Sequence, residues 1–222
     1  MNSGLRKMVS SLVNWRHIRN KKLDLTMKCH YGAGTYSMTF RTKKSPYLGI
    51  RPKDRYLEFL PFYSTIDDLA IIDASQELAE QLSGRDDRIK ASVLLSMIQQ
   101  NIKYTSDESL YGELDVWGIP ISTVCLGKGD CDCMTNLYVS IAHNMDLNVV
   151  TILIDGHMFP AVCFEGGHGR SYKHDGKTYY HMEVTDELLV AGRYWPHPGE
   201  IHTISTPCTP SASFHNTLCQ IR

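Results

Sequence analysis

A thiol, an imidazole and a carboxylate are the groups of covalent acyl transfer, and this sequence supplies them in that order as Cys131, His157 and Glu183. A thiol attacks a carbonyl only as its thiolate. The first turn of a helix favours that anion, because its backbone N–H groups are unpaired and the macrodipole is positive there. Cys131 follows Gly129 and Asp130, the latter a capping residue type, so the spacing predicts a helix-start thiol of lowered pKa. The thiolate needs a base within reach, and the base needs an acceptor that fixes its tautomer. His157 follows Gly156 at the head of one apolar run, and Glu183 stands near the end of the next. If these runs pair as an antiparallel hairpin with His157 opposite Glu183, Phe164 faces Gly176 and the turn centres near Arg170. Cross-strand Cβ atoms lie ~4.5–5.5 Å apart, close enough for the carboxylate to accept from the ring. Alternation then puts His181 and Thr185 on the face of Glu183, and Tyr180, Met182 and Val184 on the other.

The elements that must position these groups follow from hydrophobic periodicity. Met134, Leu137, Tyr138, Ile141, Ala142 and Met145 form one stripe of a helix that opens at Gly129-Asp130-Cys131. Cys131 lies about 50° from the centre of that stripe and Cys133 about 110° away, so Cys131 should face the sheet while Cys133 points aside. Two helices are expected before it: one from Ile66 to Leu82, stopped by Ser83-Gly84, and one starting near Asp87 with Ala91, Leu94, Leu95, Ile98 and Ile102 on one face. Residues 103 to 128 are rich in Gly, Asp, Ser and Pro and read as a long loop lining a site. Gln100, Tyr104 and Trp117 are candidates there for an oxyanion donor or a pocket wall. The runs VVTILID, HMFPAVCFE and KTYYHMEVT read as strands, as does the alternation of Tyr36, Met38 and Phe40. The expected fold is α+β, an antiparallel sheet packed on helices.

The runs GKGDCDCMTNLYVSI, GHMFPAVCFEG and GKTYYHMEVTD, in that order, resemble the transglutaminase-like cysteine protease superfamily, whose catalytic core is similar to that of papain. RIKASVLLSMIQQNIKYTSD and IPISTVCLGKGDC resemble the segments that precede the nucleophile, so the likeness runs over residues 60 to 200. The resemblance implies Cys131 as nucleophile, His157 as base and Glu183 as the third member, acting on amide bonds by hydrolysis or transamidation. Two positions depart from its pattern. Cys133 stands where many relatives carry an acid, and Glu183 where the third member is often Asp.

Composition sets the remaining expectations. A hydrophobic content of 42%, charged content of 21% and net charge of −1 describe an ordinary globular chain with no positive field to attract nucleic acid. Seven cysteines, an odd number scattered through 222 residues, suit reduced thiols, and no run approaches the ~20 apolar residues of a membrane span. A cytoplasmic protein is expected, with protein, peptide or cell-wall peptide as substrate and no cofactor. Residues 1–60 read as an N-terminal extension and 61–222 as the catalytic domain. Leu5, Met8, Leu12 and Trp15 give the extension a basic amphipathic helix that could touch a membrane surface or dock on the domain. Two other readings stay open: an inactive peptide-binding domain of the same fold, and a structural zinc protein using Cys125, Cys131, Cys133 and His157.

Overall fold

The computed structural model describes residues 23–42, 68–112, 116–194 and 199–207. The expected helix around Leu5 to Trp15 and the boundary at residue 60 lie outside the described residues. Asp68 caps helix α1 (Leu69–Gln81) by accepting from the Ala70 N–H at 2.9 Å, and Asp86 caps α2 (Asp87–Asn101) through Ile89 N–H at 2.8 Å. Both helices bury the stripes expected of them, Ile71, Ala74 and Leu78 on α1 and Ala91, Leu94, Leu95 and Ile98 on α2.

Strands β1 (Leu23–Tyr31) and β2 (Gly34–Thr42) form a hairpin whose inward residues Met27, Cys29, Met38 and Phe40 join the same core as α1 and α2. Helix amides occupy the hairpin's backbone: Gln81 exchanges two hydrogen bonds with Ser37, Gln100 with His30 and Asn101 with Lys28. The hairpin is thereby tied to the helices by polar as well as apolar contacts.

The segment expected as a long loop is largely ordered. It carries β3 (Lys103–Tyr104), α3 (Asp107–Tyr111), α4 (Pro120–Leu126) and β4 (Lys128–Gly129), with β3 and β4 parallel. Its Ser, Pro and Gly residues are helix punctuation: Ser106 caps α3, Pro120 opens α4, and Gly112 and Gly127 close the two helices with φ of 71° and 59°.

Helix α5 (Cys131–Asn144) follows, with Asp130 as N-cap accepting from Cys133 N–H at 3.3 Å. Leu137, Tyr138, Ile141 and Ala142 are fully buried, and the Tyr138 hydroxyl donates to the Ala91 carbonyl of α2. Helix α5 covers one face of a five-stranded antiparallel sheet made of β5 (Val149–Ile154), β6 (His157–Cys163), β7 (Ser171–His174), β8 (Lys177–His181) and β9 (Ile201–Ser205). The strand order is β7-β8-β6-β5-β9. Val149, Val162, Met182 and Val184 meet the helices, while Ile152, Phe159, Tyr172 and Tyr179 form a smaller cluster on the opposite face. The protein is α+β.

The sheet corrects the expected hairpin in one respect. The chain leaving β6 first forms β7, then turns tightly at Asp175-Gly176, both left-handed with φ of 46° and 72°, so that β8 fits between β7 and β6. Ala161 faces His181 and Cys163 faces Tyr179, which is two residues away from the register that would set His157 opposite Glu183. An even shift leaves every side chain on its expected face. Among the described residues no helix is long and apolar enough to cross a membrane.

Candidate active site

Glu183 lies just past the end of β8, where Met182 N–H still donates to the Pro160 carbonyl of β6. Its side chain is fully buried and surrounded by donors. Glu183 Oε2 pairs with His157 Nε2 at 3.1 Å and with His181 Nε2 at 3.3 Å, and Oε1 accepts from both the backbone N–H and the hydroxyl of Thr185. Burial alone would push the carboxyl up. The hydrogen bonds from His157, His181 and Thr185 outweigh it and hold the group well below the usual carboxylate range. His181 is pulled down, chiefly by burial, toward its neutral form, and the Tyr172 hydroxyl lies 3.1 Å from its Nδ1. Arg170 in turn stands over the rings of Tyr172 and Tyr194, 5.4 Å from each centroid.

The loop that carries Glu183 is fixed by a residue the sequence did not flag. Gln99, on α2, donates from Nε2 to the carbonyls of Glu183, Asp186 and Leu189 at 2.7 to 2.9 Å. Gln100, the expected candidate, turns instead to the backbone of His30.

The surroundings of the thiol at the start of α5 are of another kind. Cys131 is half-buried against Trp117, Met158 and Leu153. Backbone N–H groups of Met158 and Asp132 reach its sulfur, yet burial, reinforced by the charges of Asp130 and Asp132, pushes the thiol up to about 12. The lowered pKa expected from the helix start is therefore overturned: desolvation and two flanking acids outweigh the dipole. Asp132 is itself raised well above the ordinary carboxylate value by burial and by neighbouring Asp130, which favours its neutral form. Cys133 lies outside the cleft lining and is more deeply buried than Cys131. Its side chain fills space that a Cβ on Gly118 or Gly129 would need, with the added carbon only 2.5 Å from the Cys133 side chain in both cases.

Cys131 and His157 line one cleft of about 600 Å³, together with Tyr104 and Trp117. Alternation along β6 sends Met158 to the α5 face, where it meets Cys131, and His157 to the face of Phe159, with ring centroids 5.8 Å apart. The sulfur and the imidazole thus approach the cleft from the two sides of the first residues of β6. His157 and Glu183 are in hydrogen-bond contact, and His157 shares the lining of the cleft with Cys131.

Among the described residues, the group whose ligand atoms lie within 4.8 Å of one another is Asp107, Asp130 and Cys133, and the set of Cys125, Cys131, Cys133 and His157 considered for zinc is not assembled. Cys29, Cys125, Cys131, Cys133 and Cys163 are all free thiols.

No protein-family model matches the chain, and no curated protein matches it. Two solved structures are weakly similar. One, from Cytophaga hutchinsonii and provisionally described as a cysteine protease, has a TM-score of 0.35 at 12% identity over 77% of this chain and 66% of its own. The other, from Parabacteroides distasonis and provisionally described as a protease, has a TM-score of 0.35 at 11% identity over 73% of this chain. The chain spans about two thirds of the first and 35% of the second, and likeness at this level carries no argument about chemistry.

Proposed function

We propose that the protein is a cysteine-dependent enzyme of amide acyl transfer, in which Cys131 attacks, His157 moves the proton and Glu183 holds and stabilises the imidazolium. The observation that carries this reading is the buried Glu183 behind the cleft, committed at 3.1 Å to Nε2 of His157, which lines the same cleft as Cys131. An acid so stabilised costs a fold several polar partners, and a peptide-binding surface alone has no use for it.

With Nε2 given to Glu183, Nδ1 is the nitrogen that takes the thiol proton. Because burial keeps the thiol neutral at rest, that transfer accompanies attack rather than preceding it. The sulfur adds to the carbonyl carbon of a peptide or isopeptide bond, and the developing oxyanion meets the Cys131 backbone N–H. Collapse breaks the C–N bond, His157 returns the proton to the leaving amine, and a thioester remains. Water or a second amine, deprotonated by His157, then releases the acyl group and restores the thiol. The ordered likeness to the transglutaminase-like superfamily supports the same assignment of roles.

The test is mass spectrometry of products after incubation with peptide libraries, run beside Cys131→Ala. New masses from the unaltered protein alone are expected, and their values separate cleavage, deamidation and cross-linking. Identical product spectra for the two proteins would overturn the reading.

A further inference from the structure

The described residues that line the cleft include five carboxylic side chains, Asp107, Glu108, Asp130, Asp132 and Asp155, and no lysine or arginine. The whole chain is balanced at 23 Lys and Arg against 24 Asp and Glu, so this acidity is a local concentration. It comes from three walls: Asp107 and Glu108 from α3, Asp130 and Asp132 from either side of the nucleophile, and Asp155 from the turn that precedes His157. Glu108 and Asp155 are exposed, and Asp155 pairs with His202 at the rim.

Asp132 is the most enclosed of the acids beside Cys131. It lines the cleft while being only 7% exposed, and its Oδ1 has no hydrogen-bond partner. Burial and neighbouring Asp130 favour the neutral form of Asp132, so the charge that a ligand meets comes from the other four carboxyl groups. Lysine ammonium and arginine guanidinium bring N–H donors together with the opposite charge, and half-exposed Tyr104 offers an aromatic face beside them. A carboxylate-bearing ligand would supply neither and would be repelled from all three walls.

We propose that this cleft takes basic peptides, with a lysine or arginine side chain lying beside the amide that Cys131 attacks. Calling that peptide a substrate rests on the acyl-transfer reading; the preference for positive charge does not.

The experiment compares two methanethiosulfonate reagents on the intact protein, one ending in a trimethylammonium group and one in a sulfonate. Each converts a thiol to a mixed disulfide and releases methanesulfinate. Rates at Cys131 are read by peptide mass spectrometry at pH 8 and divided by each reagent's rate with 2-mercaptoethanol. The expected normalised ratio favours the cationic reagent by about tenfold or more at low salt and shrinks as salt is added. It should fall about threefold or more in a Glu108→Gln, Asp155→Asn protein, whose two carboxylates are exposed. A normalised ratio near one, or one indifferent to those substitutions, overturns the proposal. Peptide turnover is scored separately with matched sequences carrying Lys or Glu beside the amide. A charge ratio that holds without any turnover would sink the enzyme reading and leave a basic-peptide binder. Turnover that treats the two peptides alike would sink the selectivity and leave the enzyme.

Discussion

The acid side and the sulfur side of the cleft are built on opposite principles. Around Glu183 every acceptor has a donor: two imidazoles and Thr185 converge on one buried carboxylate and keep it ionised. Around Cys131 the balance is reversed, since Asp132 keeps an unpartnered oxygen, burial favours its neutral form, and the thiol is pushed up. Two buried carboxyl groups thus have their pKa values driven in opposite directions: donors outweigh burial at Glu183, whereas burial and Asp130 act together at Asp132. A buried carboxyl stays ionised where the fold surrounds it with donors and is driven toward its neutral form where the fold sets a second acid beside it.

The contrast breaks most visibly at the thiols. Cys131→Ala should lower product formation by about 10³-fold or more. Cys133→Ala, altering a side chain that packs on Gly118 and Gly129, should leave turnover within about tenfold and lower the melting temperature. Equal losses from both would erase the distinction between the two cysteines.

On the acid side, Glu183→Gln keeps the shape and removes the charge. Turnover should fall by roughly 10²- to 10⁴-fold, with the loss in kcat rather than KM. The same carboxylate predicts a pH effect on stability. Its pKa is lower folded than unfolded, so its stabilisation is present above the ordinary carboxylate value of about 4 and is lost as pH falls below it. Acid unfolding followed by circular dichroism should therefore show a shallower loss in Glu183→Gln than in the unaltered protein.

Gln99→Ala removes donors from three carbonyls at once and should cost about 1–3 kcal/mol in urea unfolding, with a further loss of kcat as Glu183 loosens. Gln99→Glu, which loses the amide donor while keeping the length, should behave the same way.

The smallest expected effect has the opposite sign. Asp132 has its pKa raised in the folded state, so the stability it contributes is present below about pH 4 and is lost as pH rises toward its folded value. Asp132→Asn should therefore raise the melting temperature at pH 7 by a few degrees, roughly 1 kcal/mol, and flatten its fall between pH 4 and 7. A destabilised Asp132→Asn protein would show that the two carboxylates do not differ in the way described.

Much of this was legible from the chain alone, for identifiable reasons. Helices α1, α2 and α5 and the strands β5, β6 and β8 carry strong apolar periods, and Asp130 caps α5 as its type suggests. His181 and Thr185 fell on the face of Glu183 even though the register was two residues off, because alternation is unchanged by an even slip. Strands β7 and β9 were missed, being short and only partly buried, although Asp175-Gly176 is a strong hairpin signal. The thiol's pKa was misjudged because burial, the largest contribution, depends on the packing of Trp117, Met158 and Leu153 around Cys131, whereas the acids that reinforce it, Asp130 and Asp132, stood beside it in the sequence. Gln99 and Gln100 are neighbours in sequence, and nothing local says which of them reaches the loop after β8.

The two glycines behind Cys133 act as a depth gauge for α5. With Gly118 and Gly129 bare, the first turn of the helix seats directly on backbone, and even one methyl group on either would have to displace the Cys133 side chain. The part that would yield is the end of the helix that carries Cys131. Displacements of about 1 Å are enough to cost an enzyme orders of magnitude in rate. The position of the Cys131 sulfur is in this sense set from below, by two side chains that are not there.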